Sequence, residues 1–230
     1  VYFSNITAVD TQVGVLRAEL RKLGVADNTM VWFTSDNGPN LKGKKNVKYA
    51  DAQGGKFNYT PLGSAGAFRG WKRDCYEGGL RMPGILEWPA KIKQPFSTDF
   101  AAVTTDYFPT ALDAAGIPLP TDRQYDGISL LSLIEGRETE RKSAIGFHCN
   151  GMQAWTEKQF KIVRTIKAKK KPSDAWELYD VLADHFEEND LAATHPRIVE
   201  RMSREFAKWA ESAQADEKKV IAKYYGSRRK

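Results

Sequence analysis

The sequence predicts an α/β layered fold followed by a small antiparallel subdomain with one packed helix, and three observations carry that expectation. Helix-period apolar residues lead directly into a short β-branched and aromatic run within the first forty residues. Beyond a charged stretch at residues 135–142 the pattern changes to several short strands. From about Pro196 helical spacing returns, with Ile198, Met202, Phe206 and Trp209 on one face. With 230 residues, 41% hydrophobic and 28% charged, the chain excludes collagen-like and mostly disordered classes and can bury one sizeable core, or a large core and a satellite.

The elements follow in order. Val9, Val13, Leu16, Leu20 and Leu23 have amphipathic helix spacing, and Gly24 ends the helix. After the Asp27-Asn28 turn, residues 29–34 (Thr-Met-Val-Trp-Phe-Thr) are apolar or β-branched throughout, as in strands buried on both faces of a parallel sheet. That strand ends in Ser35-Asp36-Asn37-Gly38-Pro39, where open α/β sheets place their ligand crevice. A loop from Asn40 to about Ala67 has the length and composition of loops that line functional sites. Residues 85–88 read as a second strand, Asp106 opens a helix reaching Ala115, and residues 129–134 form a short helix.

The charged stretch places a boundary between residues 1–140 and 141–230. In the second part, Ala144 to His148, Phe160 to Ile166 and Trp176 to Tyr179 read as strands, and the lysine-rich segment 167–171 reads as a solvated hairpin tip.

Thirty-five Lys and Arg against 29 Asp and Glu give +6, and the six basic residues from Lys218 onward account for all of the excess. That end reads as a frayed basic terminus, with a nucleic-acid or anionic-membrane patch as the alternative; no nucleic-acid partner is expected. No apolar run reaches membrane-spanning length. Two cysteines, Cys75 and Cys149, make no disulfide framework and no zinc-type spacing; one bridge between them is possible, though no sequence feature calls for it. The chain starts at Val1 with no initiator Met or signal peptide, and a helical pattern begins almost at once, which suggests a piece of something longer.

Two segments could carry chemistry. Asp36 and Asn37 offer oxygen ligands of the kind hard cations take, or simply an Asx turn at a strand end. Lys72, flanked by Gly66, Gly70 and the Glu77-Gly78-Gly79 turn, could act as a point-charge clamp on a sulfate or phosphate oxygen, or lie as an ordinary surface lysine. Arg69, Arg73 and Arg81 carry the same ambiguity. His148, His185 and His195 have no partner at a motif spacing and read as structural or surface residues.

Taken in order, these segments resemble the formylglycine-dependent sulfatases of the alkaline-phosphatase-like superfamily. The resemblance rests on Thr34-Ser35-Asp36-Asn37-Gly38, Arg69-Gly70-Trp71-Lys72 and the run from Tyr76 to Pro83. It continues in Trp88-Pro89, Asp106 to Pro109, Ala114-Ala115-Gly116, Asp126 to Leu130, Trp176 to Asp180 and Glu187 to Ala192. It implies that Asp36 and Asn37 are ligands of an active-site Ca²⁺, that Lys72 binds the sulfate group, and that Arg81 is structural. The family nucleophile, a Cys or Ser in Cys/Ser-x-Pro/Ala-x-Arg that becomes formylglycine, has no counterpart here, since neither Cys75 nor Cys149 stands in that motif. The paired aspartates that complete the Ca²⁺ site and the upstream His and Lys are likewise missing.

The resemblance therefore implies that residues 1–140 are the C-terminal half of a sulfatase α/β catalytic domain and residues 141–230 its C-terminal subdomain. The implied partners are a carbohydrate or aryl sulfate ester and the N-terminal half of the catalytic domain. The family implies a periplasmic, secreted or lysosomal location. Alternatives are a phosphoester or phosphonate hydrolase of the same superfamily, and a non-catalytic module for sulfated ligands.

Overall fold

A computed structural model of the chain describes residues 2–40, 47–50, 56–59, 63–166 and 173–225. The first helix, α1 (Tyr2–Lys22), begins well before Val9 and carries Arg21 and Lys22 in its last turn, where positive charge complements the helix dipole. Gly24, at φ 70°, takes the left-handed conformation that stops the helix. A bidentate ion pair ties α1 to the sheet, with Arg17 donating to both carboxylate oxygens of Glu87 at 2.7 and 2.9 Å. Its apolar stripe is not covered: Phe3, Ile6, Val9 and Leu16 are all exposed.

The strand β1 (Val31–Thr34) is shorter than the apolar run that predicts it. It does not sit in a parallel ladder: among the described residues it pairs antiparallel with a strand some fifty residues on. Between them lie two short antiparallel strands, β2 (Val47–Ala50) and β3 (Lys56–Tyr59), inside the segment expected to be loop throughout, and a single helical turn, α2 (Glu77–Leu80). The partner of β1 is β4 (Gly84–Glu87). The cross-strand pair Trp32 and Leu86 faces a core built on Trp88, Leu130 and Ile134, whereas the neighbouring pair Phe33 and Ile85 is exposed. One face of this two-stranded ribbon is thus buried, not both.

The helices α3 (Tyr107–Ala114) and α4 (Leu131–Ile134) close over that core, and Trp32 stacks on Tyr107 with ring centroids 4.6 Å apart. Asp106 organises the corner. Its carboxylate accepts the backbone N–H groups of Val103 and Ile128, both at 2.9 Å, and a fork from Arg141 at 2.7 and 3.0 Å. Both side chains are buried, so the two charges compensate each other, and Arg141 also donates to the Ser143 and Ala101 carbonyls at 3.1 and 3.3 Å.

The remaining strands form one antiparallel sheet, β5 (Ile145–Cys149), β6 (Met152–Glu157), β7 (Phe160–Thr165) and β8 (Ser173–Asp180), in that order. β6 was not expected from the sequence. The segment read as a hairpin tip, 167–171, lies outside the described residues. A long helix, α5 (Pro196–Tyr225), covers one face of the sheet through Met202 and Phe206, which pack on Trp155, Ile162 and Leu178. Side chains alternate between the faces of a strand, so Met152, Ala154, Val163 and Tyr179 point the other way. They pack on Cys75, with Tyr76 and Leu80 at the edge of the same cluster. The sheet is therefore a wall shared by α5 and the segment around Cys75.

Replacing Asp106 with Ala should cost about 3–5 kcal/mol, because it strands the buried Arg141 guanidinium. Equilibrium urea unfolding measures this, and a loss below about 1 kcal/mol would contradict the account given of the corner.

Candidate functional site

β1 delivers Asp36 and Asn37 to a tight corner. The Asn37 amide donates to the Gly38 carbonyl at 2.8 Å, and the Ser35 hydroxyl donates to the Asn37 carbonyl at 3.2 Å. These bonds hold the backbone and leave the Asp36 side chain exposed. The corner is pinned by glycines. The Gly38 N–H donates to the Gly79 carbonyl at 3.0 Å, and a Cβ at position 38 would stand 1.8 Å from the Gly78 carbonyl oxygen. A Cβ on Gly79 would in turn meet the Asp74 carbonyl oxygen at 2.2 Å. The loops touch backbone to backbone, an approach that only residues lacking a side chain permit.

Lys72 arrives at the same corner from the other side. Its backbone N–H donates to the Pro39 carbonyl at 3.0 Å, so it is fastened just beyond Asp36-Asn37-Gly38. The adjoining backbone is unusual: Gly70 and Arg73 both lie in the left-handed region, at φ 83° and 80°. For Arg73 that conformation is strained and must be held by its surroundings. Lys72 is half-buried, and among the described residues neither its ammonium nor the Asp36 carboxylate enters an ion pair. The structure thus gathers Asp36, Asn37 and Lys72 into one corner with a cationic and an anionic group that do not neutralise each other. Among the described residues no group of three or more His, Cys, Asp or Glu could hold a metal. Asp36 and Asn37 suit a hard cation in kind, but supply only part of the roughly six to eight oxygens that Ca²⁺ takes.

Behind this corner lies a charged network in the space between the loop and the sheet. Lys161, on β7, is fully buried, and its ammonium sits 2.8 Å from a Glu77 oxygen and 2.9 Å from a Glu187 oxygen. The second oxygen of Glu77 accepts from Arg81 at 2.7 Å, and the second oxygen of Glu187 accepts the Glu77 backbone N–H at 2.8 Å. Burial pushes the Glu77 carboxyl up, but Lys161 and Arg81 together outweigh it and hold it below its ordinary range. For Glu187 burial prevails over Lys161, and the carboxyl is raised. Arg69 adds a second tie, donating to Glu177 at 3.0 Å, to the Tyr179 hydroxyl at 2.7 Å and to the Tyr76 hydroxyl at 2.9 Å, with its guanidinium 3.8 Å above the Tyr76 ring. Burial and the neighbouring Glu177 carboxylate raise both tyrosine hydroxyls.

Sequence reasoning leaves Arg69 ambiguous and passes over Lys161 and Glu187. The available signal is Lys161 itself, a lysine inside a run of Phe160, Ile162 and Val163. A strand apolar on both sides of such a lysine is covered on both faces, and a buried lysine needs carboxylates. Arg81, expected to be structural, donates to Glu77 in this network. Two of the histidines take local partners: His185 contacts the Val181 carbonyl oxygen and His195 the Thr194 hydroxyl.

Replacing Lys161 with Met should cost about 3–5 kcal/mol at pH 7, since carboxylates stay buried without their shared cation. In that variant burial raises the folded-state pKa of the carboxyls above the unfolded value, so the folded state binds more protons and stability is gained as pH falls. The gap between variant and wild type should therefore narrow from pH 7 to about 5. Urea unfolding across that range measures it, and a gap that widens would refute the arrangement.

Comparison with known proteins gives this geometry a family. Residues 1–117 match the family described as Sulfatase, and residues 66–212 match the one described as N-sulphoglucosamine sulphohydrolase, C-terminal. The chain is 36% identical to human steryl-sulfatase over 151 residues, 65% of this chain and 24% of that protein. It is 32% identical to the N-acetylgalactosamine-6-O-sulfatase of Bacteroides thetaiotaomicron over 216 residues, 86% of this chain and 39% of that one. Among solved structures, a protein of the core genetic locus by which Bacteroides thetaiotaomicron metabolises multiple glycosaminoglycans aligns with TM-score 0.68 and 27% identity, covering 87% of this chain and 42% of that chain. Ps i-CgsB, crystallised with k-i-k-neocarrahexaose, aligns with TM-score 0.65 and 26% identity, covering 89% of this chain and 41% of that chain. The chain spans less than half the length of each of these relatives. The chain belongs to the sulfatase family.

Proposed function

We propose that this chain is the C-terminal part of a sulfate-ester hydrolase, in which Lys72 binds the sulfate group and Asp36 and Asn37 contribute to a Ca²⁺ site. The observation that carries the reading is the backbone bond from Lys72 to Pro39, which holds a lysine with no ion pair among the described residues against the corner formed by Asp36 and Asn37. Family membership supplies the reaction class, and these relatives act on esters as different as steryl and N-acetylgalactosamine sulfates by name, so the shared chemistry is the sulfate group itself.

In this reading the Lys72 ammonium lies against a sulfate oxygen and offsets charge as the sulfur–oxygen bond breaks. The glycine contacts keep the loop from retreating, so little reorganisation is needed when the ester binds. Asp36 and Asn37 would hold the ion through their side-chain oxygens, and a bound Ca²⁺ would neutralise negative charge on the sulfate. The remaining Ca²⁺ ligands and the formylglycine nucleophile come from an N-terminal half of the catalytic domain, consistent with relatives more than twice this length. Residues 1–140 then complete that domain, and residues 141–230 buttress its site. The exposed stripe of α1 and the exposed pair Phe33 and Ile85 are the surface this half would cover.

Two measurements test the reading. In the enzyme that includes the N-terminal half, Lys72→Ala should lower turnover about 10²–10³-fold on two unrelated sulfate esters alike, because the lost contact is with their common group. Lys72→Arg should recover little, since a planar fork does not reproduce a compact charge. Unchanged rates with the fold intact would discard the assignment. The 230-residue chain alone should bind Ca²⁺ weakly and hydrolyse no aryl sulfate. A tight site by calorimetry, or Ca²⁺-dependent turnover, would show that the chain carries ligands and a nucleophile of its own.

A further inference from the structure

Cys75 and Cys149 are 74 residues apart in sequence, yet their sulfur atoms face each other at 3.3 Å. Cys75 is fully buried and immediately precedes Tyr76 in the loop that carries Lys72. Cys149 ends β5, half-buried, at the tight turn where Asn150 and Gly151 both take left-handed backbone angles. The turn is closed by the pairing of Cys149 with Met152, which fixes where its side chain emerges. Both cysteines belong to the cluster with Met152, Ala154, Val163 and Tyr179 between loop and sheet. A thiol pair could instead serve a soft metal, but no third ligand stands by: among the described residues no metal-holding group of three exists.

We infer that Cys75 and Cys149 close into a disulfide, a covalent tie between the Lys72 loop and the β5–β6 hairpin. The sulfurs need to approach by only about 1.3 Å to reach the ~2.05 Å bond. The tie lies just past Arg73, the residue in strained backbone conformation, and would hold that strain and the adjacent Lys72 in place.

The step balances as thiol–disulfide exchange with a low-molecular-weight disulfide as oxidant. Cys149 is the attacking group: it is the more exposed of the two, and the hydrogen bond from Cys75 lowers its pKa to about 7. Its thiolate attacks one sulfur of the small disulfide, whose S–S bond breaks, and the departing thiolate takes up a proton. Cys75, whose pKa is pushed up first by its hydrogen bond to Cys149 and then by burial, cedes its proton as it attacks the Cys149 sulfur and expels the second small thiol. The protein loses two hydrogens and the oxidant becomes two thiols.

The test reads thiols and melting rather than turnover, so its outcome is separate from that of the sulfatase reading. The full chain, equilibrated natively in a glutathione redox buffer, is blocked with iodoacetamide and mapped by mass spectrometry. The expected product is a single species about 2 Da lighter than the reduced chain, with the peptides containing Cys75 and Cys149 linked and separated by dithiothreitol. Its melting temperature should fall by several degrees on reduction. Cys149→Ser should abolish the linked peptide and this redox dependence while melting like the reduced wild type. Two alkylated cysteines, glutathione adducts that do not resolve, or a link between two chains would each overturn the proposal. The wild-type map alone decides the matter if the variant fails to fold.

Discussion

A single buried ammonium sets the position of the corner. Lys161 comes from the sheet, Glu77 from the helical turn after the Lys72 loop, and Glu187 from the segment after β8. None of the three is tolerable in the interior alone, since a buried charge without a partner costs several kcal/mol. Together they specify one docking of the loop on the sheet, because sliding the loop would separate Glu77 from Lys161 while both remained desolvated. Glu187 is itself in left-handed backbone geometry, at φ 58°, so local strain is spent to bring its carboxylate inward.

From that anchor, the path to the corner runs largely through backbone, with the Asp74 carboxylate also accepting the Trp71 N–H at 3.1 Å. The turn that begins at Glu77 carries Gly78 and Gly79, which receive Gly38 without an intervening side chain. Gly78 also donates its N–H to the Arg69 carbonyl at 2.7 Å, and Asp74 donates to the Trp71 carbonyl at 2.9 Å. The loop's polar groups are thus satisfied where they are buried, which is what allows an irregular segment to lie inside a packed layer.

Much of this was legible in advance, for identifiable reasons. The stripe of Ile198, Met202, Phe206 and Trp209 predicts α5 and its buried face, because helical periodicity is local. α3 is legible from its start and stop signals, Asp106 at the opening and Gly116 and Pro118 past the end, which are local as well. β6 is missed because Met152 to Glu157 lacks an alternating pattern: Met152, Gln153, Ala154 and Trp155 are all buried, each row against a different neighbour. The antiparallel setting of β1 could not be read either, since an apolar run states that a strand is covered and not what pairs with it. Asp36, Asn37 and Lys72 were singled out from an ordered set of motifs, and the structure brings them to one corner. Lys161 is passed over because its partners are not its sequence neighbours: Glu77 lies at 84 residues' distance, and only the lysine's place in an apolar run hints at such partners.

The sheet's two commitments also guard its register. Along β7, Lys161 turns to the loop and Ile162 to α5, in a strict alternation. A slip of one residue against β6 and β8 would exchange them. The ammonium would then lie among Trp155, Leu178 and Phe206, while an isoleucine faced two abandoned carboxylates. Misalignment by a single step would cost far more than the lost apolar fit, so the charges act as a proofreading mark. The hairpin has one alignment in which its strands can pair at all stably, and that same alignment seats the loop.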